Sequence, residues 1–272
     1  MRYVIPISLV SAVIWHILIF RLSPRLGLVK LNFRKQPIMA SYGIVSFAYV
    51  AAGIVSLRIL GLADPRHSML FLCVMGAMWA LGVLDDLLGT REVGGFKGHF
   101  KKLLFERKLT TGALKALGGG VVGVAAGWFV SDGDPVRWVT AALVIPLAAN
   151  LLNLVDLRPG RAVAVLFLGL GVTCIVALGR VPGPWVVGTV AAISLAWGIL
   201  DSRGLAMMGD SGSNSLGAAL GLTIALSTGV AAQVAAIVII AAIHWYSEKH
   251  SITALIERNA FLRAIDARLG VR

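Results

Sequence analysis

Apolar residues run along this chain in long, almost uncharged blocks separated by short polar stretches. The blocks cover roughly residues 3–20, 42–62, 67–84, 111–130, 137–155, 162–179, 185–200, 214–228 and 230–246. About 20 apolar residues in a helix cross a bilayer, and most blocks are close to that length. A transmembrane barrel would show short alternating segments instead. The pattern therefore predicts an all-α, polytopic membrane protein with about nine transmembrane helices. The eighth block is short and rich in Gly. No linker divides the chain, so residues 1–272 read as one integral membrane domain. The first block lacks the small-residue cleavage site of a signal peptide.

The polar segments carry the topology. A loop at 21–41 follows the first block and a longer one at 85–110 follows the third. Short turns follow the fifth and seventh, and a tail at 247–272 follows the ninth. By parity these share one face. That face, with Lys115 at the start of the fourth block, holds all of the 25 Lys and Arg residues except Arg2, Arg58, Arg66, Arg137 and Arg180. The positive-inside bias puts that face in the cytoplasm, the C-terminus with it and the N-terminus outside. The expected location is the cytoplasmic (inner) membrane, multi-pass, with the active face cytoplasmic. In a soluble protein a net charge of +12 would suggest a nucleic-acid partner. Here topology and anionic phospholipid account for it, and no nucleic acid is expected. Cys73 and Cys174 lie inside apolar blocks and read as packing residues. The tail is basic and amphipathic, with Ile252, Leu255, Ile256, Leu262, Ile265 and Leu269 as its apolar positions, the pattern of an interfacial helix.

The acidic residues follow the same division. Asp64, Asp132 and Asp134 fall in outer loops beside Pro or Gly and read as turn formers. The other ten of the thirteen are cytoplasmic. Asp85 and Asp86 end the third block side by side. Two carboxylates ~5 Å apart at an effective dielectric near 20 repel by roughly 3 kcal/mol, which a divalent cation would relieve. A solvated helix end is the plain alternative. Asn150, Asn153 and Asp156 recur every three residues along one side of a helix end. They could serve chemistry or bind helices together. Met207-Met-Gly-Asp210-Ser211-Gly-Ser213 is a tight polar turn entering a helix. Its N–H groups would favour phosphate, with Asp210 holding a metal alongside, although a capped turn has the same composition. Asn32 and Lys35 after the first block, and Lys97 and Lys101 after the third, could grip phosphate or lipid head groups or simply be positive-inside loops. His244 and Glu248 are one helical turn apart, suited to a metal, a proton shuttle or an ion pair.

Leu-Asp85-Asp86-Leu-Leu-Gly, then Asn150-x-x-Asn153-x-x-Asp156, then Met-Gly-Asp210-Ser-Gly-Ser, in this order and on one face, resemble the polyprenyl-phosphate N-acetylhexosamine-1-phosphate transferases. The resemblance covers residues from about 32 to 221. It implies an enzyme that moves a HexNAc-1-phosphate, or a related sugar phosphate, from a UDP-sugar to polyprenyl (undecaprenyl) phosphate. UMP is released, and the product serves cell-envelope glycan synthesis. It implies magnesium, with manganese as the alternative ion, held by Asp210 with Asp86. Asp85 and Asp86 would hold the metal-diphosphate or assist deprotonation, and Asn153 and Asp156 would line the nucleotide-sugar end. Asp85, Asp86 and Asp156 are thus the catalytic candidates. Asn32, Lys35, Lys97, Lys101, Asn150, Asn153, Ser211, Ser213, His244 and Glu248 are the substrate-binding ones. A homodimer is compatible with this reading. The chain departs from the family pattern at Met39 and Tyr42, where Pro and Gly are usual. Pro159 stands where a second Asp is usual, and only His244 and His250 stand in for a His-rich loop before a tenth span. These departures leave a second expectation open: a catalytically reduced relative that binds polyprenyl phosphate or nucleotide as a regulatory partner.

Overall fold

The computed structural model describes residues 10, 21, 29–31, 37–39, 42–89 and 110–271. The first predicted span, apart from Val10, and the candidates Asn32, Lys35, Lys97 and Lys101 lie outside the described residues. Among the described residues, ten helices follow a small hairpin. The hairpin pairs β1 (Val29–Leu31) with β2 (Pro37–Met39) antiparallel, Lys30 opposite Ile38, within what reads from sequence as a polar loop. The helices are α1 (Gly43–Ile59), α2 (Pro65–Leu88), α3 (Thr111–Ser131), α4 (Pro135–Val155), α5 (Arg161–Val176), α6 (Pro184–Ser202), α7 (Gly209–Ser227), α8 (Val230–Ser247), α9 (Ile252–Arg258) and α10 (Ala260–Leu269). Five of them, α2, α3, α4, α6 and α8, are long and apolar enough to cross a membrane; α1 and α5 are apolar but shorter. This is a helical, multi-pass membrane architecture.

Helix ends follow local chemistry. Asp64 caps α2 and Asp134 caps α4 through their carboxylates, each with Pro in the first turn. Pro costs nothing there because that N–H has no partner within the helix. Asp132 ends α3 in a left-handed conformation. Asp64, Asp132 and Asp134 therefore act in turns, as their sequence context suggests.

α7 is the axis of the bundle. Ser211 to Ala225 are buried without a break, and α1 to α6 all pack against it. The approach is close because the contacts are built on glycine. A Cβ on Gly217 would lie 2.5 Å from the Ala148 carbonyl oxygen, and one on Gly221 2.6 Å from Ile145 Cα. On α2, a Cβ at Gly82 would lie 2.4 Å from the Asp210 carbonyl oxygen. α3 uses the same device against α4: a Cβ on Gly123 would meet the Ala142 carbonyl oxygen at 2.3 Å. Small residues let helix backbones approach closely, which is how membrane helices gain packing energy without a hydrophobic drive. Gly217→Val is accordingly expected to push α4 and α7 apart and to destabilise the fold by about 1–3 kcal/mol, read as a lower Tm in detergent. An unchanged Tm would mean that this crossing is looser than described.

The tail folds back on the bundle. It is broken at Asn259, whose side-chain Oδ1 accepts from the N–H groups of Phe261 and Leu262, both at 3.0 Å. Arg161, at the start of α5, grips Asp266 on α10 with two hydrogen bonds of 2.6 and 2.9 Å and reaches Thr253 Oγ1 at 2.9 Å. Val271 N–H donates to the Ser202 carbonyl at 2.8 Å.

Candidate functional site

Four helix ends meet where the sequence motifs lie: the last turn of α2, the first of α3, the last of α4 and the first of α7. The turn into α7 needs Gly209, whose φ is +70°, a conformation that L side chains rarely adopt. It is held from below by α1, since Tyr42 N–H and Gly43 N–H donate to the Met207 and Met208 carbonyls, each at 2.9 Å.

Asp86 closes the start of α7. Its Oδ1 accepts from Asp210 N–H and its Oδ2 from Ser211 N–H, both at 3.0 Å. The helix thus receives its cap from another helix, where the positive end of the macrodipole favours an anion. Two expectations change here. The N–H groups predicted to face a phosphate are taken by a carboxylate of the protein. Residues 209–213, read as a turn before a span beginning near 214, are already helical. Met208 at the cap position makes no side-chain cap bond, and Asp86 supplies the missing acceptor.

Asp85, not Asp86, faces the Asp210 side chain. The two carboxyl groups are within hydrogen-bond reach of each other, with Thr111 also at Asp85. Asp86 was expected beside Asp210 as a metal ligand, but both of its oxygens are directed at the α7 backbone. The charge between Asp85 and Asp210 is balanced by Lys115. Its ammonium lies 2.5 Å from Asp210 Oδ2 and 3.4 Å from Asp85 Oδ2, largely shielded from solvent. Lys115 is the member of this cluster that the motifs alone miss. Its signal was present: a lysine inside an apolar span is costly unless paired.

Asn153 Nδ2 donates to the same Asp210 oxygen at 3.2 Å. The Asn153 carbonyl oxygen in turn accepts from Ser213 Oγ at 3.4 Å, and that hydroxyl also reaches the Gly209 carbonyl at 3.0 Å. Asn150 lies one turn further into the bundle on the same helix. Ser211 Oγ and Asn214 Nδ2, both fully buried in the first turns of α7, have no hydrogen-bond partner among the described residues. His244 donates its Nδ1–H to the Ile240 carbonyl at 2.8 Å, within α8, which packs along α4. Glu248 caps the end of that helix.

Asp156, just past the end of α4, accepts from Gly209 N–H. It keeps some solvent contact at its edge, yet protein atoms crowd its carboxyl. Burial first, then the negative charges of Asp201, Asp210 and Asp86, push its pKa well above the usual carboxylate range. Asp201 is itself buried and accepts from Gly160 N–H at 2.6 Å. The sign follows. The folded protein holds the Asp156 proton to higher pH than the unfolded chain, so stability falls as pH rises from the ordinary carboxylate pKa towards the raised one. Asp156→Asn removes that penalty. The variant is expected to melt with the parent in acid and above it near neutral pH, and equal melting at every pH would contradict the crowding described.

The donors are hard oxygens, the class that suits magnesium. Among the described residues no three His, Cys, Asp or Glu side chains are grouped to hold a metal ion. Magnesium commonly takes one or two carboxylates and completes its shell with substrate phosphates and water, so the Asp85–Asp210 pair fits that pattern. A metal entering there would share these oxygens with Lys115. No protein-family model matches the chain and no curated protein matches it, so the functional reading rests on these residues and their geometry.

Proposed function

We propose that this protein is a cytoplasm-facing membrane transferase of nine spans that moves a HexNAc-1-phosphate, or a related sugar phosphate, from a UDP-sugar to polyprenyl phosphate. One observation carries the reading. Asp85, Asp86, Asn153, Asp156 and Asp210, separated by up to 125 positions, converge at one end of the bundle around Lys115. These are the residues on which the family resemblance rests.

The chemistry asks mainly for positioning and charge neutralisation. A phosphomonoester has its second pKa near 6 and is mostly dianionic at pH 7, so the lipid phosphate needs no strong base. One of its oxygens attacks the sugar-bound phosphorus. The bond from that phosphorus to the bridging oxygen breaks, and UMP leaves with the electron pair. Lys115 offers a cation at the place where the phosphate charges gather, and Asp210 and Asp85 hold that ammonium in position. Asn153 fixes the rotamer of Asp210, and Asp86 fixes the start of α7. Asp156 lies towards the nucleotide-sugar end and, protonated, can donate to a phosphate or sugar oxygen. Magnesium, held by Asp85 and Asp210 with the diphosphate, would supply further neutralisation of the leaving group.

The test is direct. Purified protein is incubated with magnesium, undecaprenyl phosphate and a panel of UDP-sugars; UMP is measured and the lipid product is weighed by mass spectrometry. UMP and lipid-linked diphosphate sugar in equal amounts are expected with at least one donor. No UMP from any donor would reject transfer. The second reading, a binding protein on the same framework, is favoured by Lys115 itself, which already neutralises the Asp85–Asp210 pair. Its signature is retained binding of undecaprenyl phosphate or nucleotide without turnover.

A further inference from the structure

α10 is arranged the wrong way round for a helix packed on a soluble surface. Phe261, Leu262, Ile265 and Leu269 form one stripe at helical spacing. Yet the residue that α10 buries is Asp266, in the grip of Arg161, while Phe261 is 72% exposed and Ile265 40%. A charged residue faces the protein and the apolar edge faces away. The exposed Arg268 borders that edge beside Phe261, and the exposed Arg258 ends α9; Arg263 lies on the other side of α10 and donates to the Glu257 carbonyl at 3.1 Å.

The level of this edge is marked by the end of α8. Trp245 is 64% exposed, and the Lys249 ammonium lies over its ring, 4.3 Å from the centroid. Tyr246 and His250 stack beside it with centroids 4.9 Å apart. Exposed Trp and Tyr with a cation are what a span carries where it leaves the hydrocarbon for the head groups. α9 begins two residues after His250, so the tail leaves the bundle at that depth.

We propose that α9 and α10 dock on the anionic bilayer surface beside the bundle, Phe261, Leu262 and Ile265 entering the acyl boundary and Arg258 and Arg268 meeting lipid phosphates. The occupant is set by charge complementarity: an apolar edge rimmed by arginine fits an acidic lipid surface. The Arg161–Asp266 grip and the Val271–Ser202 bond then tie the docked tail to the two loops that lead to Asp156 and Asp210. This holds whether or not the protein is a transferase.

The test uses full-length protein with Cys73 and Cys174 replaced by Ala and one cysteine introduced at Ile265 or, on the opposite side of α10, at Ala267, labelled with an environment-sensitive fluorophore. In nanodiscs containing phosphatidylglycerol, the label at 265 is expected to shift to the blue and to be quenched by lipid-borne spin labels, while the label at 267 stays water-like. Replacing Arg258 and Arg268 together by Gln is expected to weaken docking by roughly 25-fold, at about fivefold per arginine near the surface. Those side chains take no part in the Arg161–Asp266 grip, and gel filtration verifies the fold. Water-like emission at 265 in acidic nanodiscs would overturn the proposal, as would equal burial in purely zwitterionic ones.

Discussion

Asp210→Asn is expected to lower UMP release by roughly 100- to 1,000-fold, the loss seen when one preorganised electrostatic group is removed from a reacting centre. The substitution is nearly isosteric, so the effect isolates charge. In the parent, one Asp210 oxygen receives both the Lys115 ammonium and the Asn153 amide. An amide at 210 keeps the shape but loses the charge that holds Lys115, and one end of it becomes a donor facing other donors. The start of α7 is unaffected, because Asp86 caps it through backbone N–H groups that the substitution leaves in place. The melting temperature in detergent should therefore stay near that of the parent while the rate collapses. Full activity in a folded Asp210→Asn protein would remove Asp210 from the reacting centre and, with it, the role assigned to Lys115.

Arg161→Ala is expected to release the tail. Arg161 and Asp266 are 5% and 8% exposed, and their two-pronged contact is extended by Thr253. Deleting one partner of a buried ion pair leaves the other charge buried and uncompensated, typically at about 3–5 kcal/mol. Here α9 and α10 can escape that penalty by leaving the bundle, since few other contacts hold them. The outcome is local opening without global unfolding. Limited proteolysis should cut the variant near residues 248–251 much faster than the parent, with little change in the melting of the remaining helices. Equal cleavage rates would show that the grip contributes little to holding the tail.

What could be read from the sequence and what could not divide along a physical line. Apolar runs, Asp64-Pro65 and Asp134-Pro135 are local signals, and the described helices lie where those signals put them. The beginning of α7 was misread because its cap is not local: Asp86 is 124 positions from Asp210. Without that carboxylate, Gly-Asp-Ser-Gly-Ser has the composition of a turn. The division of work between Asp85 and Asp86 is equally non-local. Neighbours on a helix point about 100° apart, and only the packed bundle decides which of them meets a side chain and which a backbone. Lys115 was visible as a charge inside a span, but its partners were not. The tail's amphipathic stripe was legible, and so in principle was its break, because Asn259 is a good helix-capping residue. That Arg161 and Asp266 would pair across 105 positions was not.

The enclosed, glycine- and serine-rich character of α7 also bears on how the protein is made. α7 is not among the helices apolar enough to cross a bilayer unaided, and its residues from Ser211 to Ala225 are buried. A segment of that kind gains little by partitioning from the translocon into lipid alone. It is expected to enter once α2 and α4 are present to receive it, so that Asp210 reaches its partners only after those helices are in place.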